Sequence, residues 1–116
     1  MEWIVHICSS DDWQVAKSAG EYQTDSLASE GFIHFSKPEQ ALDTANRYYR
    51  GRKDLQLLWI DPEELVAELR WETSHGDVYP HLYGSLNLSA VVQVTSFAPD
   101  TSGIFCELPS PPPGGF

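Results

Sequence analysis

Positive charge is what this sequence has least of. Seven Lys and Arg stand against seventeen Asp and Glu, a formal net charge of -10, the wrong sign for neutralising phosphates along a duplex or for meeting an anionic leaflet. Nucleic acid and membrane surfaces are therefore not expected partners. A small-molecule ligand remains compatible with the one local basic island, Arg47, Arg50, Arg52 and Lys53, although such an island equally suits a helix C-terminus, where cations complement the dipole. Cysteine is nearly as scarce. Cys8 and Cys106 match no zinc or redox spacing, need no disulfide, and read as small hydrophobes in a reducing compartment. No stretch approaches the roughly 18 apolar residues of a membrane span, and the opening Met-Glu-Trp has no basic segment leading into an apolar run, so the expected compartment is the cytoplasm.

The familiar catalytic spacings are missing too. Imidazoles with a carboxylate such as Glu72 suit zinc or non-haem iron, but without H-x-H, H-E-x-x-H or C-x-x-C no metal centre is expected. The absence of G-x-S-x-G argues against a serine-hydrolase elbow, that of G-x-x-x-x-G-K against a phosphate-cradling loop, and no motif supports Cys8 as a nucleophile.

What is present is enough for one core. A chain of 116 residues, 41% hydrophobic and 12% aromatic, fills a single domain without staples. That domain is expected to span residues 1–108, followed by a flexible Pro/Gly-rich tail over 109–116 that buries nothing. Alternation predicts a strand from Glu2 to Ile7, with His6 and Ile4 on one face. Ser9-Ser10-Asp11-Asp12 predicts a helix cap and Gly20 the helix end. Glu21 to Gly31 reads as irregular and Phe32 to Phe35 as a short strand. The S-x-x-E box Ser36-Lys37-Pro38-Glu39 predicts a helix running to Gly51. Leu55 to Ile60 reads as a buried central strand, Asp61-Pro62-Glu63-Glu64 as a capped turn, and Leu69 to Thr73 as a strand with Arg70 and Glu72 on one face. Ser74 to Gly84 reads as a loop, Asn87 to Ala90 as a turn, Val91 to Phe97 as a late strand and Ile104 to Leu108 as an edge strand.

Candidate functional residues are polar groups that a structural role explains badly. His6 and His34 lie inside apolar strands. His81 follows Pro80, which restrains the local geometry, and precedes Gly84, which permits close backbone approach to a ligand. Because strands send alternate side chains to a common face, these three imidazoles can converge on one pocket with Tyr79 and Tyr83. A strand histidine can instead be a core residue with both nitrogens satisfied. His75, beside Gly76 and Asp77, reads as a solvated loop residue.

At Glu30-Gly31-Phe32-Ile33-His34-Phe35-Ser36 and Tyr79-Pro80-His81-Leu82-Tyr83-Gly84 the sequence resembles a bacterial family of about this length known only as a domain of unknown function. Ile4-Val5-His6-Ile7, Ala45-Asn46-Arg47-Tyr48-Tyr49-Arg50-Gly51 and Trp59-Ile60-Asp61-Pro62 extend the resemblance across most of the chain. That family is similar to a remote relative of the ADP-ribosyltransferase fold. The resemblance implies an α+β fold, a compact split β-sheet with two or three packed helices, and a cleft shaped for NAD or a related nucleotide. It implies that His6 and His34 position ribose or phosphate, that Phe35 and Tyr83 line the ring site, and that Ser36 bonds a carboxamide or phosphate. The transferases also use a late glutamate, and here the sequence departs from the pattern. Residues 85–97 hold no Glu or Asp, Gln93 is the nearest polar group, and Glu72 is the available carboxylate although it comes earlier.

Three readings follow. The first is an NAD- or nucleotide-handling transferase or glycohydrolase with His6, His34 and Glu72 as catalytic residues and Phe35, Ser36, His81, Tyr83 and Gly84 binding the ligand. The second is a non-catalytic small-ligand module using the same pocket. The third is a protein-interaction domain presenting exposed aromatics such as Trp3 or Trp71.

Overall fold

Residues Leu55–Ile60 are apolar almost throughout because both faces of the strand they form are covered. The computed structural model describes residues 2–113 and defines β1 (Ile4–Ser9), α1 (Ser10–Ala19), β2 (Glu21–Tyr22), α2 (Asp25–Ser29), β3 (Ile33–His34), α3 (Ala41–Tyr48), β4 (Leu55–Ile60), β5 (Glu68–Ser74), β6 (Asp77–Tyr83), β7 (Leu86–Asn87) and β8 (Val91–Phe97). The fold is α+β, with all strand pairs antiparallel. They form a sheet of order β1-β4-β8, a second of order β3-β6-β5, and a β2-β7 ribbon. On β4, Leu58 and Ile60 face a core shared with Ile4, Cys8, Ala16, Ile33, Phe35 and Leu82. Leu55, Leu57 and Trp59 face a second core with Val5, Ile7, Ala41, Ala45, Phe97 and Phe105. Burial on two sides removes the polar alternation that a half-solvated strand would show. No helix among the described residues is long and apolar enough to cross a membrane.

Local signals placed several elements. The Ser9 side chain accepts from the Asp12 amide at 3.0 Å, and Gly20, with φ 88°, ends α1 by donating its N–H to the Ala16 carbonyl. Asp61 caps the 3-10 turn Pro62–Glu64 by accepting from the Glu63 amide.

Other expectations are corrected. The stretch from Glu21 to Gly31 is not irregular throughout: Tyr22 is buried in β2, and α2 follows. The box before α3 is shifted by one residue. Gln40, not Glu39, reaches back to accept from the Lys37 amide at 2.9 Å, and the chain makes a 3-10 turn over Pro38–Gln40 before α3 begins. The Gln40 amide also donates to Asp77 Oδ2 and to the Val78 carbonyl, tying the start of α3 to β6.

Ser74 to Gly84 is not a loop but half of a hairpin. His75 and Gly76 have φ 51° and 79°, so the turn has the two positive φ angles that match the twist of paired strands. Pro80 is tolerated within β6 because its carbonyl accepts from the Phe35 amide, which puts its missing donor on the side where β3 has already ended. Residues 104–108 form no strand. Phe105 is instead buried against Phe97, with both of its backbone groups bonded to the Asn46 side chain at 2.8 and 2.9 Å. The tail is not free of packing either: Pro112 is buried, and the Ser110 carbonyl accepts from Gln93. Residues 114–116 of that segment lie outside the described residues.

Candidate functional site

The two three-stranded sheets share one short stretch of chain. Ile33 and His34 pair with β6, and two residues later Ser36 exchanges backbone hydrogen bonds with Val5 of β1, 2.9 Å each way. A cleft of about 1050 Å³ lies beside this seam, and all four histidines contribute to its wall.

Strand alternation decides which groups reach it. Antiparallel partners share a face, so the opposed pairs Glu68–Tyr83, Arg70–His81 and Glu72–Tyr79 occupy one side of the β5–β6 hairpin, while Leu69–Leu82 and Trp71–Pro80 occupy the other. β3 adds His34 directly opposite His81. Here Glu72 Oε1 accepts twice, from the Tyr83 hydroxyl at 2.6 Å and from His81 Nδ1 at 2.8 Å. The Tyr83 bond first, and the His81 bond next, hold the Glu72 carboxyl below the usual carboxylate range, and the same contact pushes the Tyr83 hydroxyl up. Arg70 lies 4.2 Å above the Tyr83 ring while both ends of its guanidinium engage Glu68.

Phe32 completes this wall. Its ring stacks on His81 at 4.2 Å and 20°, and stands 4.8 Å from His34 and 5.2 Å from Tyr83. The sequence reading did not single it out, yet Phe32 and His34 are two apart in an extended segment and so share a face; that spacing was the available signal. Tyr22, which also lines the cleft, was missed as well. Tyr22 sits in a two-residue strand too short for any periodicity to reveal.

His6 takes a different position from the one expected of a ligand contact. Its Nδ1 lies 2.6 Å from the His34 carbonyl, which can only accept, so Nδ1 carries the proton; Nε2 then accepts from the Tyr22 hydroxyl at 2.9 Å. Burial pushes its pKa down to about 4, keeping it neutral. Both nitrogens are thus engaged within the protein, and His6 holds the backbone of His34 in place. Burial likewise pushes the neighbouring Cys8 thiol up to about 12, far from a nucleophilic thiolate.

The remaining candidates divide. Phe35 is buried with its ring 5.3 Å from His6, and Ser36, in the cleft wall, has its hydroxyl 3.4 Å from that of Thr44. Gly84 is not in the cleft wall: a Cβ there would stand 2.7 Å from Ala67 Cβ, so the close approach it permits is to β5's entry and not to a ligand. Gln93 is also outside the wall. His75 is more than a solvated residue, since its Nε2 meets the Tyr48 hydroxyl at 3.1 Å where the hairpin tip approaches the end of α3. Arg47 and Arg52 line the cleft from that end; Arg52 pairs with Asp54, whereas Arg47 has no carboxylate partner among the described residues. Trp3 is partly buried against the second core, while Trp71 is half-exposed. Among the described residues no group of three or more His, Cys, Asp or Glu side chains is placed to hold a metal ion.

A solved protein shares this fold. The crystal structure of protein CC0527 from Caulobacter crescentus is 36% identical to the chain, covers 88% of it and 91% of its own length, and superposes with a TM-score of 0.82. The solution NMR structure of the same protein, also 36% identical, covers 90% and 92% with a TM-score of 0.79. No curated protein matches the chain. The sequence profile of one family matches residues 7–94, a span holding His34, Glu72, His81 and Tyr83, and the chain belongs to that family, described as a protein of unknown function (DUF952).

Proposed function

We propose that the cleft binds NAD or a closely related nucleotide and cleaves its glycosidic bond to nicotinamide, on a fold remotely related to the ADP-ribosyltransferases. One observation carries this reading. Glu72 Oε1 is held by two donors, while Oε2 has no hydrogen bond from the described residues. An anionic oxygen is thereby left for a ribose hydroxyl and for the positive charge that develops at ribose C1 as nicotinamide departs.

The rest of the wall suits the other parts of such a ligand. Phe32 and Tyr83 offer aromatic surface for a planar ring. His34, whose side chain is half-exposed and whose Nε2 contacts Glu30 at 3.0 Å, serves ribose or phosphate. Arg47, with no carboxylate partner among the described residues, suits a phosphate. The cleft, at about 1050 Å³, has room for a ligand of this size. His6 acts through His34 and not on the ligand directly. A cytoplasmic setting fits the two free thiols.

The test is incubation with NAD followed by chromatography for nicotinamide. Glu72→Gln should slow release by about 100-fold or more while leaving the melting temperature close to that of the parent. Thermal protection by NAD with no release would identify a binding module instead, and neither protection nor release would remove the reading.

A further inference from the structure

His81 is 5% exposed, yet one of its two nitrogens has no partner among the described residues. Glu72 fixes which one. A carboxylate only accepts, so the Nδ1 that lies 2.8 Å from Glu72 Oε1 carries the proton, and in the neutral ring Nε2 carries the lone pair. Nε2 makes no hydrogen bond among the described residues, and it is not among the polar atoms sealed away from solvent without a partner. His81 belongs to the cleft wall, so this lone pair opens into the cleft. The ring cannot easily turn away from it. Phe32 stacks on one face at 4.2 Å, and the His34 ring stands edge-on 5.3 Å away.

A buried imidazole with a carboxylate on one nitrogen and an unpartnered lone pair on the other is organised to receive a proton. From this geometry we infer that His81 is the general base of the reaction and that the acceptor is water or an alcohol hydroxyl. The inference rests on the NAD reading above and adds to it the chemical class of the second substrate. A thiolate or carboxylate acceptor needs no base, whereas a hydroxyl is a poor nucleophile until its proton has somewhere to go. The bond from ribose C1 to the nicotinamide ring nitrogen breaks with its electron pair on nitrogen, so nicotinamide leaves neutral. The acceptor oxygen forms the new bond to C1, and its proton passes to His81 Nε2. The imidazolium so formed lies against Glu72, and the proton then returns to solvent.

The experiment follows NAD turnover in water with and without added methanol, scoring ADP-ribose and its methyl glycoside. The wild type should form both products in the presence of methanol. His81→Ala should lose about 100-fold or more in turnover, still be protected against heating by NAD, and regain turnover when imidazole is added to fill the vacated space. Turnover in H81A equal to wild type, or a loss that imidazole does not restore, overturns the inference while leaving the NAD reading standing. A wild type that neither binds nor cleaves NAD removes that reading and this inference with it. Should H81A not fold, 15N shifts of His81 in the wild type decide the matter: protonated Nδ1 with bare Nε2 supports the assignment, and the opposite tautomer overturns it.

Discussion

His34 and His81 face each other across β3 and β6 with ring centroids 5.3 Å apart at 75°, and each has a carboxylate of its own, Glu30 for His34 and Glu72 for His81. The two dyads differ in setting. The His34 side chain is 52% exposed and its Glu30 partner 49%, whereas that of His81 is 6% exposed and its Glu72 partner 36%, so water competes for both members of the first pair and in the second reaches the carboxylate but hardly the imidazole. The His81 ring is fixed by its surroundings, and the His34 ring can adapt to whatever enters.

His6 should make stability depend on pH in a defined window. Its folded pKa of about 4 lies below its ordinary 6.5, so as acid is added the unfolded chain takes up the proton first, and stability present above about pH 6.5 is lost as pH falls towards 4. Full expression of that difference is on the order of 3 kcal/mol. Urea unfolding at pH 7 and pH 5 should show a steeper loss for the wild type than for His6→Gln, which is already weaker at pH 7. Parallel losses would show that His6 is not held neutral.

Tyr83→Phe removes the larger of the two hydrogen bonds that keep the Glu72 carboxyl low. Its titration, followed by 13C NMR of the side-chain carboxyl, should move up towards the ordinary carboxylate range. Because Glu72 is partly exposed and water can replace the lost hydroxyl, the urea midpoint should change little. An unmoved titration would mean that Tyr83 does not donate to Glu72 in solution.

Gly84→Ala should destabilise without touching the ligand. The new methyl would meet Ala67 Cβ at 2.7 Å, an overpacking that costs about 1–3 kcal/mol, and Gly84 is not in the cleft wall. Adding Ala67→Gly should recover part of the loss in urea unfolding. Nucleotide affinity that falls in step with stability would place Gly84 at the site after all.

How much of this was legible depended on the range of each signal. β4 and α1 could be read because their evidence is local: an apolar run bounded by Asp54 and Asp61, and a serine cap with a glycine stop. The β5–β6 hairpin could not. Pro80 and Gly76 argue for a loop on local grounds, and only the endpoint of β3, more than forty residues earlier, makes the proline harmless. The expected convergence was of His6, His34 and His81, the last of them from a loop; Glu72 meets His81 because β5 pairs with β6, a partnership that no local signal gives. The role of His6 was not readable, since its partner Tyr22 and the His34 carbonyl meet it through tertiary contacts that no spacing encodes. Gly84 shows the same limit: the need for glycine was readable, whereas the neighbour requiring it was not.

Asn46 gives the amide and carbonyl of Phe105 the two bonds that an adjoining strand would otherwise supply. The segment is fastened over the second core by a side chain, and residues 104–108 stay out of the sheet. Anchoring by one asparagine therefore lets the Phe105 ring close the second core without adding a strand, and β8 keeps its place as an outer strand of its sheet.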